Sequence, residues 1–193
     1  MSLRIIGGKF RNRPLKTPKG EQTRPTLAVL RKAVFDILQS HIDDAKFLDL
    51  YAGSGAMGLE ALSRGASHAT FVEANRHAFA CIEENTRLLE VQDQCTLLSY
   101  DTLLALKKLA KEGRRFDIIY VDPPYAPAAK LRLLEEIILF LDTHPLLEPH
   151  GRLFLEEAAP AAFQPASQTL STLRHVDSRT FSRSTLHQFQ MTM

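Results

Sequence analysis

The chain has 193 residues, 45% of them hydrophobic and 24% charged, with a formal net charge of +2. That length suits one domain with a full core and leaves no room for a bulky second recognition domain. No run approaches the roughly 18–20 apolar residues of a membrane span and no signal-type segment opens the sequence, so the expected setting is the cytoplasm.

Charge is unevenly placed along the chain. Residues 1–32 carry nine Lys or Arg and one acid, whereas the remaining 161 residues carry 15 basic and 21 acidic groups. A concentrated basic segment is the electrostatic footprint of phosphate-backbone binding, and Lys9, Arg11 and Arg13 stand at its centre. Ile5, Ile6, Phe10 and Leu15 interleave with these charges, and Gly7-Gly8, Pro14 and Pro18 punctuate them with turns. A basic β-hairpin or meander packed on the core is therefore expected over residues 1–25, ahead of one domain over 26–193. Arg24, within Thr23-Arg24-Pro25-Thr26, offers a forked donor for a carboxylate or a phosphate. Thr26 is the expected N-cap of an amphipathic helix reaching Gln39, with Leu27, Leu30, Val34, Ile37 and Leu38 on one stripe.

From Phe47 onward the pattern alternates. Strands are predicted at 47–51, 69–73, 95–99, 116–121 and 151–156, separated by helices at 56–64, 75–90, 102–112 and 128–141. Such alternation implies a parallel α/β sheet with helices on both faces. Ala158 to Gln168 reads as a loop. His175 to Phe181 and Thr185 to Met191 then alternate polar with apolar around Ser182-Arg183-Ser184, which predicts a terminal antiparallel pair. Cys81 and Cys95 lack metal-type spacing and read as reduced thiols. Histidines show no H-x-x-x-H spacing; His68 and His77 read as surface residues, and no metal is expected.

The first strand runs into Tyr51-Ala52-Gly53-Ser54-Gly55-Ala56-Met57-Gly58. Gly53 and Gly55 permit positive φ and close backbone approach to a ligand, Gly58 permits tight packing of the helix on the strand, and the helix N-terminus would turn free N–H groups toward it. Gly53-x-Gly55-x-x-Gly58 also fits a dinucleotide fingerprint, but nothing nominates a hydride partner. Asp49, inside the strand, is better explained by a methyltransferase-type site in which it helps position the amino-acid end of S-adenosylmethionine. Glu73 ends the second strand, where it can accept ribose hydroxyls. Asp101 follows the third, where it can accept from the adenine amine or cap the next helix.

The fourth strand ends in Asp122-Pro123-Pro124-Tyr125. An exocyclic amine of guanine or adenine is a poor nucleophile because its lone pair is delocalised into the ring, so a catalyst must hold it against acceptors. The Asp122 carboxylate and the Pro123 carbonyl supply acceptors, the two prolines stiffen the turn, and Tyr125 offers a stacking plate worth about 1–3 kcal/mol per base. A plain turn is the alternative.

Asp49, Glu73, Asp101 and Asp122 in this order, with glycines after the first and Pro-Pro-Tyr after the last, resemble a class I S-adenosylmethionine-dependent methyltransferase. More closely, Arg4 to Phe10, Thr23 to Thr26, Leu48 to Ala66, Val72-Glu73 and Asp122 to Tyr125 resemble the bacterial family that methylates guanine N2 in 16S ribosomal RNA (RsmD-like), over nearly the whole chain. The resemblance implies a Rossmann-like, mostly parallel sheet with a terminal antiparallel strand. It also implies that Tyr51, Ala52, Ser54, Ala74 and Thr102 complete the cofactor set with the three glycines and the acids. Asp122 to Tyr125 would be catalytic, and Lys9, Arg11, Arg13, Arg24 and Thr26 would meet 16S ribosomal RNA in the small subunit or an assembly intermediate. Arg31-Lys32 stands where the family usually has Arg-Glu, and Phe181-Ser182 where it usually has Tyr-Gly. An adenine-N6 methyltransferase and a non-catalytic ribosome-assembly module remain open alternatives.

Overall fold

The computed structural model describes residues 3–18, 25–124, 127–165 and 169–192. In chain order the elements are α1 (Pro25–Ile37), β1 (Lys46–Leu50), α2 (Ala56–Ser63), β2 (His68–Val72), α3 (Arg76–Leu89), β3 (Cys95–Leu98), α4 (Thr102–Lys111), β4 (Phe116–Val121), α5 (Pro127–Thr143), β5 (Leu147–Ala158), β6 (Leu173–Phe181) and β7 (Ser184–Met191). Seven strands form one sheet in the order β3-β2-β1-β4-β5-β7-β6. The first five run parallel, and β7 pairs antiparallel with both β5 and β6. This is the predicted fold class, with β5 reaching further at both ends than its apolar run suggests.

Period-two alternation distributes the strand side chains between two cores. Phe47 of β1, Ile118 and Tyr120 of β4 and Phe154 of β5 pack with α1, α2 and α3, whereas Leu48, Leu50, Ile119, Val121, Leu153 and Leu155 pack with α4 and α5. By the same alternation Asp49, Asp122 and Glu156 belong to the face covered by α1 and α2. Register puts Asp49 beside Tyr120, and Tyr120 beside Phe154.

Several local expectations are corrected. Helix α1 opens on Pro25, so Thr26 lies inside its first turn rather than at the cap; proline has no N–H to lose there and its φ is preset. His68 is the first residue of β2, with its Nε2 2.8 Å from Thr96 Oγ1, and is not a loose surface group. The N-terminal segment folds back antiparallel through an isolated Arg4–Pro14 bridge and bonds such as Asn12 N to Ile5 O at 2.9 Å. It forms no regular strand pair, because Pro14 cannot donate to a ladder.

Buried side chains of α2 and α3 hold this segment on the core. The fully buried Glu60 accepts from Ile6 N and Gly7 N, both at 2.7 Å. Ser63 Oγ accepts from Phe10 N at 2.9 Å, and the fully buried Asn85 accepts from Lys16 N and donates to Lys16 O.

Gly58 is set against β2. A methyl group there would lie 2.3 Å from Phe71 Cε1 and 2.7 Å from its Cζ, and Phe71 is fully buried. Overpacking of this kind costs about 1–3 kcal/mol. Gly58→Ala should therefore destabilise the protein in urea denaturation despite alanine's better helix propensity.

Candidate active site

Strand order reverses beside β1, and a cleft of about 680 Å³ opens there. Its volume lies within the roughly 300–1,000 Å³ of small-molecule sites. Asp49, Tyr51, Ala52, Gly53, Ser54, Glu73, Ala74, Asp101, Thr102, Asp122 and Pro124 all line it. The carboxyl ends of four parallel strands thus bring the four predicted acids to one cavity.

Hydrogen bonds to neighbouring elements fix the glycine loop. Ala52 N donates to Val72 O at 3.0 Å, Gly53 N to Glu73 Oε2 at 2.8 Å and Gly55 N to Ala52 O at 2.7 Å. Asn85 Nδ2 donates to Ser54 O at 2.9 Å. Gly53 and Gly55 adopt φ of +55° and +81°, in the left-handed region that favours glycine. Nothing lies within 4 Å of where a Cβ would stand on Gly53, so the loop faces open space. Tyr51 also takes a positive φ, 62°, which turns the chain out of β1.

Some predicted roles change when the partners are seen. The Gly58 N–H is not free for a ligand: it donates to Asp49 Oδ2 at 2.9 Å. Gly55 and Gly58 shape the loop and the helix packing, and neither lines the cleft. Both oxygens of Glu73 already accept backbone N–H groups, from Gly53 and from Asn75 at 2.7 Å; a carboxylate oxygen can still accept another bond. Asp101 caps α4 by accepting from Leu103 N at 3.0 Å and also lines the cleft. Pro123 is buried and does not line the cleft, whereas Pro124 is exposed and does. Lys9 and Arg11 are exposed and do not line the cleft, and Arg13 donates to Leu88 O at 2.9 Å near the end of α3. Tyr125, Arg24 and the Thr26 side chain lie outside the described residues.

Three further lining residues escape the sequence reading. Tyr120 Oη donates a hydrogen bond to Glu156 Oε2, and both residues are buried. Burial, and next the Glu156 carboxylate, push the Tyr120 phenol well above its ordinary range. Glu156 follows the apolar run Leu153-Phe154-Leu155, the signal that nominated Asp122. The third is Arg31, buried on α1. Among the described residues no group of His, Cys, Asp or Glu could hold a metal ion.

Residues 3–190 match the protein family described as conserved hypothetical protein 95. The chain is 37% identical over 154 residues to the ribosomal RNA small subunit methyltransferase D of Escherichia coli (strain K12), a match covering 80% of this chain and 74% of that protein. Against the YlbH protein of Bacillus subtilis it is 34% identical over 154 residues, covering 80% and 82%. The solved structure of the yhhF protein of Escherichia coli superposes with a TM-score of 0.81 at 27% identity, over 99% of this chain and 98% of that one. The chain belongs to this RsmD-like family. Its sheet order and cleft are those of a class I methyltransferase, with the ligand crevice outside the carboxyl ends of the strands.

Within this family fold, Asp49 is 2% exposed and held up at about 7, first by burial and then by Asp122 and Glu73, with the Gly58 N–H opposing. A carboxyl whose folded pKa is raised contributes stability at low pH that is lost as pH rises through that pKa. Asp49→Asn keeps an acceptor for Gly58 N–H without the charge. In urea titrations of the ligand-free proteins, the variant should gain on wild type between pH 4 and pH 7, with the difference level above about pH 8.

Proposed function

We propose that this chain is a cytoplasmic methyltransferase that modifies the exocyclic N2 amine of a guanine in 16S ribosomal RNA, with S-adenosylmethionine as donor. The observation that carries the reading is the convergence of Asp49, Glu73, Asp101 and Asp122 on one cleft, beside an open glycine loop. The loop fits a ligand that approaches backbone closely, and the spaced acceptors suit one bearing an ammonium, ribose hydroxyls and an adenine amine.

In this reading Asp49 pairs with the ammonium of the cofactor's amino-acid end. Glu73 accepts ribose hydroxyls through lone pairs left by its two backbone donors, and the Tyr51–Ser54 loop, Ala74, Asp101 and Thr102 enclose the rest. When bound, S-adenosylmethionine supplies a methyl group already activated on a sulfonium. The protein's task is then proximity and orientation, which account for about 7–11 kcal/mol of barrier lowering in well-aligned systems.

Asp122 and the Pro123 carbonyl hold the target amine by accepting from it, and Asp122 takes a proton as positive charge develops there. Tyr125 stacks on the extruded base. Residues 1–25 act as a basic extension of the domain at 26–193, with Lys9 and Arg11, Arg24 and Thr26 meeting RNA phosphates and Arg13 adding its charge. The substrate is the small subunit or an assembly intermediate of it.

Nucleoside mass analysis of 16S ribosomal RNA from a strain lacking the protein, followed by treatment of that RNA or subunit with purified enzyme, tests this. The expected result is loss and in vitro restoration of one N2-methylguanine. Asp122→Ala should abolish restoration while leaving S-adenosylhomocysteine affinity within a few-fold. Restoration of N6-methyladenine, or unimpaired turnover by Asp122→Ala, would overturn the proposed chemistry. Replacing Lys9, Arg11 and Arg13 with Ala should reduce the salt dependence of RNA binding by about 0.7 in slope for each phosphate that is no longer neutralised; an unchanged slope would remove the basic extension from the interface.

A further inference from the structure

We propose that Arg31 is the anion-binding group of the cleft and takes the carboxylate of the cofactor's amino-acid end; this rests on the S-adenosylmethionine reading above. The cleft is strongly acidic, lined by Asp49, Glu73, Asp101, Asp122 and Glu156. Among its described lining residues Arg31 is the sole cation. Of these described residues, Arg31 alone offers an amino-acid carboxylate an opposite charge.

Arg31 is prepared for that task by what surrounds it. Its side chain is 5% exposed, one terminal nitrogen donates to Arg4 O at 2.6 Å, and Nε lies 3.6 Å from Glu60 Oε2. Nε is buried and makes no hydrogen bond. Glu60 cannot neutralise it fully, because its oxygens already accept from Ile6 N, Gly7 N and Arg64 Nε, each at 2.7 Å. Two guanidinium groups therefore share one carboxylate, and the cluster keeps a surplus positive charge at the cleft wall. Burial disfavours the charged guanidinium and lowers its pKa, a cost that a second anion would relieve. Asp49 on β1 and Arg31 on α1 share one face of the sheet, so ammonium and carboxylate of one amino acid have complementary partners in one cavity.

The test compares two ligands that differ at this end. S-adenosylhomocysteine carries the amino-acid group, and 5′-methylthioadenosine lacks it. Calorimetric titration of the full-length protein should show Arg31→Met weakening S-adenosylhomocysteine by roughly 10- to 150-fold, the range for a lost hydrogen bond to a charged group, with methylthioadenosine unchanged within about threefold. Arg31→Lys keeps the charge but not the forked donors, and should show a smaller loss confined to S-adenosylhomocysteine. It serves as the decisive variant should Arg31→Met fail to fold. An unchanged ratio of the two affinities in the folded variant would overturn the proposal. If that unchanged ratio came with weakened RNA binding at saturating cofactor, the anion met by Arg31 would be an RNA phosphate instead. Failure of wild type to bind either ligand would sink the cofactor reading itself, a result distinguishable from failure of the Arg31 assignment alone.

Discussion

Because β1 is flanked by β2 on one side and β4 on the other, the sheet is built outward in both directions from one central strand. The connections leaving β1 and β4 diverge to opposite faces, and the space between them can be closed only by loops and side chains. The four predicted acids reach it from at or beside strand ends for this reason. The remaining architecture supports that opening. Phe71 beneath Gly58 seats α2, and Asp49 accepts its N–H; Glu73 and Asn85 hold the loop between β1 and α2 from two directions.

The molecule separates its charges. Five carboxylates crowd the cleft while the N-terminal segment presents exposed Lys9 and Arg11. Like charges gathered in a partly desolvated cavity raise one another's proton affinity, and Asp49 carries that effect most plainly because it is also the most buried of the four predicted acids. A cationic ligand group relieves the crowding. In the proposed function, the binding of an ammonium at Asp49 would be coupled to loss of a proton, so that the cleft would favour its ligand more as pH rises toward 7.

Basic segment and cleft are mechanically continuous. Leu3 and Thr17 form part of the cleft wall, and Asn85 bonds at once to the backbone of Lys16 and to Ser54 O in the glycine loop. Arg31 reaches Arg4 O from the other side. Buried polar side chains on neighbouring helices thus fix a segment with little core of its own, using bonds that stay strong because water is excluded from them. In the proposed function, groups that grip RNA and groups that grip the cofactor share one rigid frame.

Much of this was readable from residue order. Alternating apolar runs pointed to the parallel sheet, because period two and period 3.6 are local properties of strands and helices. Asp49, Glu73, Asp101 and Asp122 were visible because each stands at or beside a strand end, marked by glycine or proline or by the apolar run before it. Partners were not visible. That the Gly58 N–H belongs to Asp49, that Glu73 is occupied by Gly53 and Asn75, and that Thr26 yields the helix start to Pro25 depend on where atoms meet. Tyr120, Glu156 and Arg31 were missed for a related reason: each sits in an ordinary stretch and acquires meaning only from neighbours on other strands or helices. Chain order determined which chemical groups stand at the strand ends. Only tertiary packing decided how far they are desolvated, which hydrogen bonds they have already made and which cation they face, since burial and Coulomb interaction depend on distance in space and not on separation along the chain.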